Sequence, residues 1–525
     1  MKKKLIGLIF LGNLFLSTLC ALPSARQDSR IQKVYEQFQD HLLWIENGQW
    51  TPCAETFFDV LARVEEEGLW PENYIPLREE LISLDISSPE TQKEADAAFT
   101  LLALTYISEM KGKRLDPHAV DKTIFEKPEP VDEVEILIKH FSPPHHCGWA
   151  ATLTPDHEEY NHLKKLLAHY RQKKEEGGWP LLPTKAKLEK GDKGELIKIL
   201  KTQLIAQEVL AADAGEGDTF DQAVEDAVKL YQELHALEPD GKVGEETLKA
   251  LNTPIEERIN SIIVSLERHR WLPSPLPPRY IQVNIPGFFL KAVGENETFF
   301  MPIITGKEYR KTPVFDAPLT DIVFNPTWHV PTSIARDKLP KLKKNPHAFI
   351  GKGYRFYTFS GESISPTSVN WEQYSGNYFP IKIVQNPGKS NALGKIRFTL
   401  ENPLSIYMHG TPDSHLFRKA KRSLSSGCIR VENPTKLAEF VLNDPEKWPL
   451  EKIKQESSGS STKKIKLKTS LPVFITYFTV FKKDEHWHIV PDEYKQDRRI
   501  LNALEKTKNE AEPDDEEDYE ELDDN

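Results

Sequence analysis

Apolar positions recur every three or four residues from about Ser29 to Gln172, as at Phe99, Leu102, Ala103 and Tyr106, with Gly112 closing that run as a stop signal. This predicts a helical scaffold over about 28–176. A second helical pattern fills 183–254, where Val224, Val228 and Tyr231 share one face. There Asp240-Gly241 forms a turn, Gly244 permits another, and Thr247 lies at the start of a short last helix. From about Arg279 the pattern changes to short β-branched and aromatic runs broken by Pro and Gly, such as "YIQVNIPGFFLKAV", "DIVFNPTWHVP" and "SIYMHG". They predict a mostly β domain over 279–455. One helix follows Cys428, capped by Asn433, started by Pro434, and buried through Leu437, Phe440 and Val441.

Between about 332 and 391 the strand pattern is interrupted by a helical start and by Tyr354, Phe356, Tyr357, Phe359, Trp371 and Tyr378. So much aromatic surface predicts either a lid over a site or a small subdomain. Residues 470–500 are expected to pack on the β domain. The fold class is therefore multi-domain α+β.

The chain ends change the picture next. Three lysines, an apolar run from Leu5 to Leu19 and small residues after it read as a secretory signal over 1–21. The run is short of the ~20 residues that a spanning helix needs, and Leu19 is too bulky to precede a lipidated Cys20. The mature chain is expected to be exported, with no transmembrane span. It then keeps Cys53, Cys147 and Cys428, an odd number that leaves a thiol to explain. Most of the net charge of −12 is local, because Glu510–Asp524 holds 11 acidic and no basic residues. Residues 509–525 read as a solvated tail. No basic field suggests nucleic acid. "HHCGW" at 145–149 lacks a second ligand pair at zinc spacing and reads as loop, so no metal or cofactor is expected.

Cys428, in "RSLSSGCIRVENP", has a residue type and neighbours that fit packing as well as chemistry. To act as a nucleophile it needs a base, since a free thiol ionises near pH ~8.5. His409, ending the strand "SIYMH" before Gly410, is the candidate. Gly427 would let a carbonyl approach, with the N–H groups of 427 and 428 facing a developing oxyanion. The basic run Arg418, Lys419, Lys421 and Arg422 would attract carboxylates or simply be a solvated loop.

Two resemblances decide among these readings. "DGKVGEETLKAL" with "AVKLYQ" resembles the three-helix peptidoglycan-binding domain, whose motif falls on Asp240, Gly241, Gly244 and Thr247. "YMHGTP…LSSGCIRVENP", with "ITGKEYRKTPVF", "FNPTWHVP" and "NALGKIRF", resembles the YkuD-type L,D-transpeptidases, in particular the large periplasmic subgroup with a scaffold, a binding module and a lid. This resemblance implies Cys428 as nucleophile and His409 as base. It places Gly427, Ser426, Ser425, Tyr407, Gly410 and Arg430 around the oxyanion and pocket. Ser426 stands where the common pattern has histidine, as in the large subgroup; whether Ser425 and Ser426 donate to the oxyanion or only shape the turn stays open. The implied reaction joins tetrapeptide stems 3→3 through a thioester with release of D-Ala. Implied partners are peptidoglycan stems and glycan, and other wall-synthesis proteins. The alternatives are an L,D-carboxypeptidase or a lipoprotein-attaching enzyme on the same fold, and a non-catalytic wall anchor. A papain-like protease would place its cysteine before its histidine, the reverse of this order.

Overall fold

A computed structural model of the 525-residue chain describes residues 28–142, 147–375 and 378–508. The expected signal segment, His145, His146 and the acidic tail lie outside the described residues.

The N-terminal helices share a core around Trp44, Phe57, Phe99 and Trp149. Their longest member, Pro89–Met110, is capped by Ser88, whose hydroxyl accepts the Thr91 N–H at 3.1 Å. This helix buries Asp96. Its charge is met by the backbone N–H groups of Leu43, Trp44 and Ile45, which donate to it at 3.1, 2.8 and 3.1 Å. Cys53 and Cys147 form a disulfide, a pairing the sequence left open. Cys428 is the free cysteine among the described residues.

Helices Glu158–Glu175 and Ile255–His269 pack on each other and on the C-terminal domain. The second is buried on nearly every side, polar residues included, and it belongs to none of the domains predicted above. Its polar groups find partners across three regions, with Glu267 facing Arg114 of the N-terminal helical region at 3.6 Å. Arg258 donates to the Tyr231 hydroxyl and the Ala250 carbonyl, each at 2.9 Å, and Arg268 pairs with Asp497. The small module lies against it as three helices, Glu195–Ala206, Gln222–Leu234 and Glu245–Leu251.

The C-terminal domain is a closed sheet. Its strands in chain order are β1 Tyr280–Asn284, β2 Phe289–Val293, β3 Thr298–Gly306, β4 Phe315–Phe324, β5 Ile396–Leu400, β6 Tyr407–His409, β7 Ser423–Ser425, β8 Ile429–Val431 and β9 Lys463–Thr476. Their spatial order is β7-β3-β8-β6-β5-β4-β9-β1-β2, and β2 pairs back onto β3, so eight strands form a barrel with β7 beside it. Leu290, Ile303, Ile322, Phe398, Met408, Ile429 and Val473 fill its core. Two expectations are corrected here. The domain does not stop at 455, because β9 lies between β4 and β1 and carries nine register pairs with β4 alone. Nor does the chain after β9 pack only on this domain. Its hairpin, Val480–Lys483 with His486–Ile489, reaches the module, and in helix Gln496–Glu505 the Leu504 carbonyl accepts the Trp70 indole N–H at 2.7 Å.

The insertion joins two adjacent strands, leaving after β4 and returning at β5. It has its own four-stranded sheet, three short helices and a core built on Trp328, Leu342, Phe356, Trp371 and Ile383. Tyr354 is buried with these, whereas Phe359 and Tyr378 are exposed. At its neck the Asn391 amide donates to the carbonyls of Pro326 and Asn386, each at 3.0 Å. Gly394 takes φ +65°, and a Cβ there would meet the Gly410 carbonyl carbon at 2.6 Å. The exit of the insertion is thereby pressed against the residue after His409.

Candidate active site

Strands β6 and β8 run parallel, with Met408 beside Ile429 and His409 beside Arg430. His409 thus ends one strand while Cys428 enters its neighbour, so two residues 19 apart in sequence reach the same cleft. Both line a cleft of about 1490 Å³ between the barrel and the insertion.

Buried His409 has its Nδ1 2.6 Å from the Gly410 carbonyl. A carbonyl only accepts, so Nδ1 carries the proton and Nε2 keeps a free lone pair. Burial, then the nearby Arg430 and Arg397, hold its pKa down to about 3. The ring is therefore neutral at ordinary pH. Half-buried Cys428 has its thiol pKa raised by burial, against the Tyr407 N–H and hydroxyl and the charges of Arg397 and Arg430, which favour the thiolate. Its resting form is the thiol, and the pair rests neutral. The Cys428 thiol faces the Ser405 carbonyl at 3.8 Å, and a neutral thiol and a neutral imidazole lining one cleft suit proton transfer during attack rather than a preformed ion pair.

The turn carrying the sulfur is held from inside. Buried Ser425 donates to the Cys428 carbonyl at 2.7 Å and accepts the Gly427 N–H at 3.1 Å, and Thr312 donates to the Gly427 carbonyl at 2.7 Å. Gly427 has φ +117°, where a side chain strains the backbone. This corrects the expectation that the Gly427 N–H faces an oxyanion, because that N–H is spent on Ser425. It also answers the open question about Ser425, which shapes the turn. Ser426 is exposed, 3.4 Å from Arg310.

The sequence of the domain that holds this geometry, residues 278–475, matches the family model of the L,D-transpeptidase catalytic domain. That segment is an L,D-transpeptidase catalytic domain. Residues 193–251 match the model described as "Putative peptidoglycan binding domain", and 29–167 match "Scaffold domain". A Haemophilus influenzae protein named "Putative L,D-transpeptidase" is 33% identical over 222 residues, which is 42% of this chain and 45% of that protein. The chain thus aligns with less than half the length of this relative. Two crystal structures of L,D-transpeptidases overlap with it loosely. The one from Xylanimonas cellulosilytica is 14% identical over 57% of this chain and all of its own, at a TM-score of 0.15; that from Stackebrandtia nassauensis is 11% identical over 58% of this chain and all of its own, at 0.23.

Within the L,D-transpeptidase domain, most of the predicted residues converge. Tyr407, Ser425, Ser426, Gly427 and Arg430 line the cleft with Cys428 and His409; Gly410 lies beside it as the acceptor for His409. Arg430 faces Asp413 at 3.5 Å. The basic run 418–422 lies outside the cleft lining: Arg422 donates to the carbonyls of Ile303 and Phe288 at 3.1 and 3.0 Å, and Lys421 pairs with Glu493 at 2.9 Å. Sequence reasoning missed Thr312 and Arg397, although both stand in strings it singled out. Nothing local marks Thr312 as the partner of a glycine 115 residues away.

In the binding module, Asp240, Gly241 and Thr247 close on Gln232. This buried amide donates to Asp240, the Lys242 carbonyl and Thr247 at 2.8, 2.9 and 3.0 Å, and accepts the Gly241 N–H at 2.8 Å. Gly244 caps the helix that follows. These residues hold the module's own turn together.

Proposed function

We propose that the protein is an exported, wall-associated enzyme that cross-links peptidoglycan stems 3→3. The observation that carries this reading is the neutral Cys428–His409 pair at the cleft, with the free Nε2 of the base fixed by Gly410. Cys428 Sγ attacks the carbonyl of the third residue of a tetrapeptide stem as its proton passes to His409 Nε2. The N–H of Cys428 is the backbone donor for the oxyanion. Collapse of the tetrahedral adduct breaks the amide to D-Ala, whose nitrogen takes the proton from His409, and a thioester remains. The side-chain amine of a second stem's third residue then attacks the thioester, giving its proton to His409. When the adduct collapses, the thiol takes that proton back and leaves. Water in place of the amine would make the enzyme a carboxypeptidase, and a lipoprotein lysine would make it an attaching enzyme.

The module match supports peptidoglycan as the surface on which this happens. No helix among the described residues is long and apolar enough to cross a membrane. Incubating the protein with purified tetrapeptide stems and weighing the products tests the proposal. A dimer lighter than two donors by one D-Ala is expected; tripeptide alone would establish the hydrolase, and unchanged donor would overturn the reading.

A further inference from the structure

We propose that the insertion's wall of the cleft is the acceptor site, where Lys338, Lys341, Lys344 and Lys352 hold the carboxylates of the incoming stem and keep its attacking amine unprotonated. The inference rests on the acyl-transfer reading of Cys428. Lys338 caps the junction of the short helices Thr332–Asp337 and Leu339–Lys344, Lys341 and Lys344 follow at three-residue steps in the second, and Lys352 stands just before the strand Tyr354–Tyr357. All four line the same cleft as Cys428.

What separates them from ordinary surface lysines is the absence of ion-pair partners. Two other cations of this cleft are paired, Arg310 with Asp337 at 2.5 Å and Arg430 with Asp413 at 3.5 Å. Among the described residues none of the four lysines has an ion pair or a side-chain acceptor. Lys338 is also half-buried, its ammonium 5.3 Å from the ring centroids of both Trp328 and Tyr354. Burial and the charges of Lys341 and Lys352 press its pKa downward, against the neighbouring Asp337 carboxylate. Four cations gathered beside one carboxylate, Asp337, which Arg310 already engages, leave a net positive wall that draws an incoming polyanion.

The charge does chemical work as well. An alkyl amine with a pKa near ~10.4 is protonated at neutral pH and cannot attack a thioester. Nearby positive charge disfavours the protonated form. A wall that attracts the acceptor's carboxylates thus also frees its amine, an advantage that a competing water does not receive.

The test uses the full chain and a Lys341→Gln, Lys344→Gln, Lys352→Gln triple variant, all three positions being exposed. One tetrapeptide donor is offered two competing acceptors, a diamino-acid tripeptide with free carboxylates and the same tripeptide amidated. The ratio of the two cross-linked products is read by mass, whatever the total turnover. The parent should favour the free-carboxylate acceptor by about tenfold, the effect of ~1.4 kcal/mol. In the variant the ratio should fall towards one, and transfer should need a higher pH. Acyl-Cys428 with the same preference in both proteins, or with none in the parent, would overturn the inference alone. Absence of acyl-Cys428 in the parent would overturn the acyl-transfer reading and this inference with it.

Discussion

At residues 425–428 a serine hydroxyl holds a turn from inside, and at 240–247 a glutamine amide does the same. Both turns use a glycine at positive φ, Gly427 at +117° and Gly241 at +74°, and both spend a glycine N–H on a buried side chain. Their outcomes differ. The Ser425 turn is the rim of the cleft and sets Cys428 into the same lining as His409, whereas the Gln232 turn closes on itself. A motif's spacing reports that a turn is needed; the open volume beside it decides whether the turn does chemistry.

Cys428→Ala should break the comparison most completely. Turnover should vanish while the melting temperature stays near the parent's, because Ser425 bonds the backbone of residue 428 rather than its sulfur. His409→Ala should cost ~10²–10⁴ in rate near neutral pH. What remains should climb about tenfold per pH unit up to the raised thiol pKa, since the mutant must wait for spontaneous thiolate. In the parent, by contrast, the base form of His409 is already full above its pKa of about 3, so kcat/KM should be flat from about pH 5 to 8. An acid limb near pH 6–7 that disappears with His409 would show a protonated resting ring and contradict the neutral pair.

The other turn should answer in stability rather than rate. Gln232→Ala removes four hydrogen bonds inside the module and should cost about 2–4 kcal/mol of its unfolding free energy, read by denaturant titration. Turnover of a short soluble donor should be spared and binding to intact wall lost. The smallest effect belongs to Gly427→Ala. The nearest atoms to an added Cβ are at 3.5 Å, so the penalty is backbone strain of about 1–3 kcal/mol, seen as a lower melting temperature with slower acylation.

The parts of this molecule that could be read in advance are those whose signals are local. Helical periodicity marked the helices with Val224 and Tyr231 or Leu437 and Val441 on one face, and both turns carry glycines where they bend. Helix Ile255–His269 escaped because its buried face is studded with Arg258, Ser265, Glu267 and Arg268, whose partners come from distant segments. Strand β9 escaped for a related reason. Its lysines at 463, 464, 466 and 468 read as a surface stretch, although its second half fills the barrel between β4 and β1. At the site, the strings around His409 and Cys428 pointed to the two residues that line one cleft, while the commitment of the Gly427 N–H to Ser425 was not legible, since hydrogen-bond direction is set by the tertiary fold.

The central claim is that Cys428 carries the acyl group. Its most direct test is the intact mass of the protein, quenched in acid seconds after mixing with a tetrapeptide donor and no acceptor. A single adduct of donor mass less D-Ala, mapped to Cys428 and missing from Cys428→Ala, is the predicted result. A donor consumed without any such adduct, or an adduct that persists in Cys428→Ala, would contradict it.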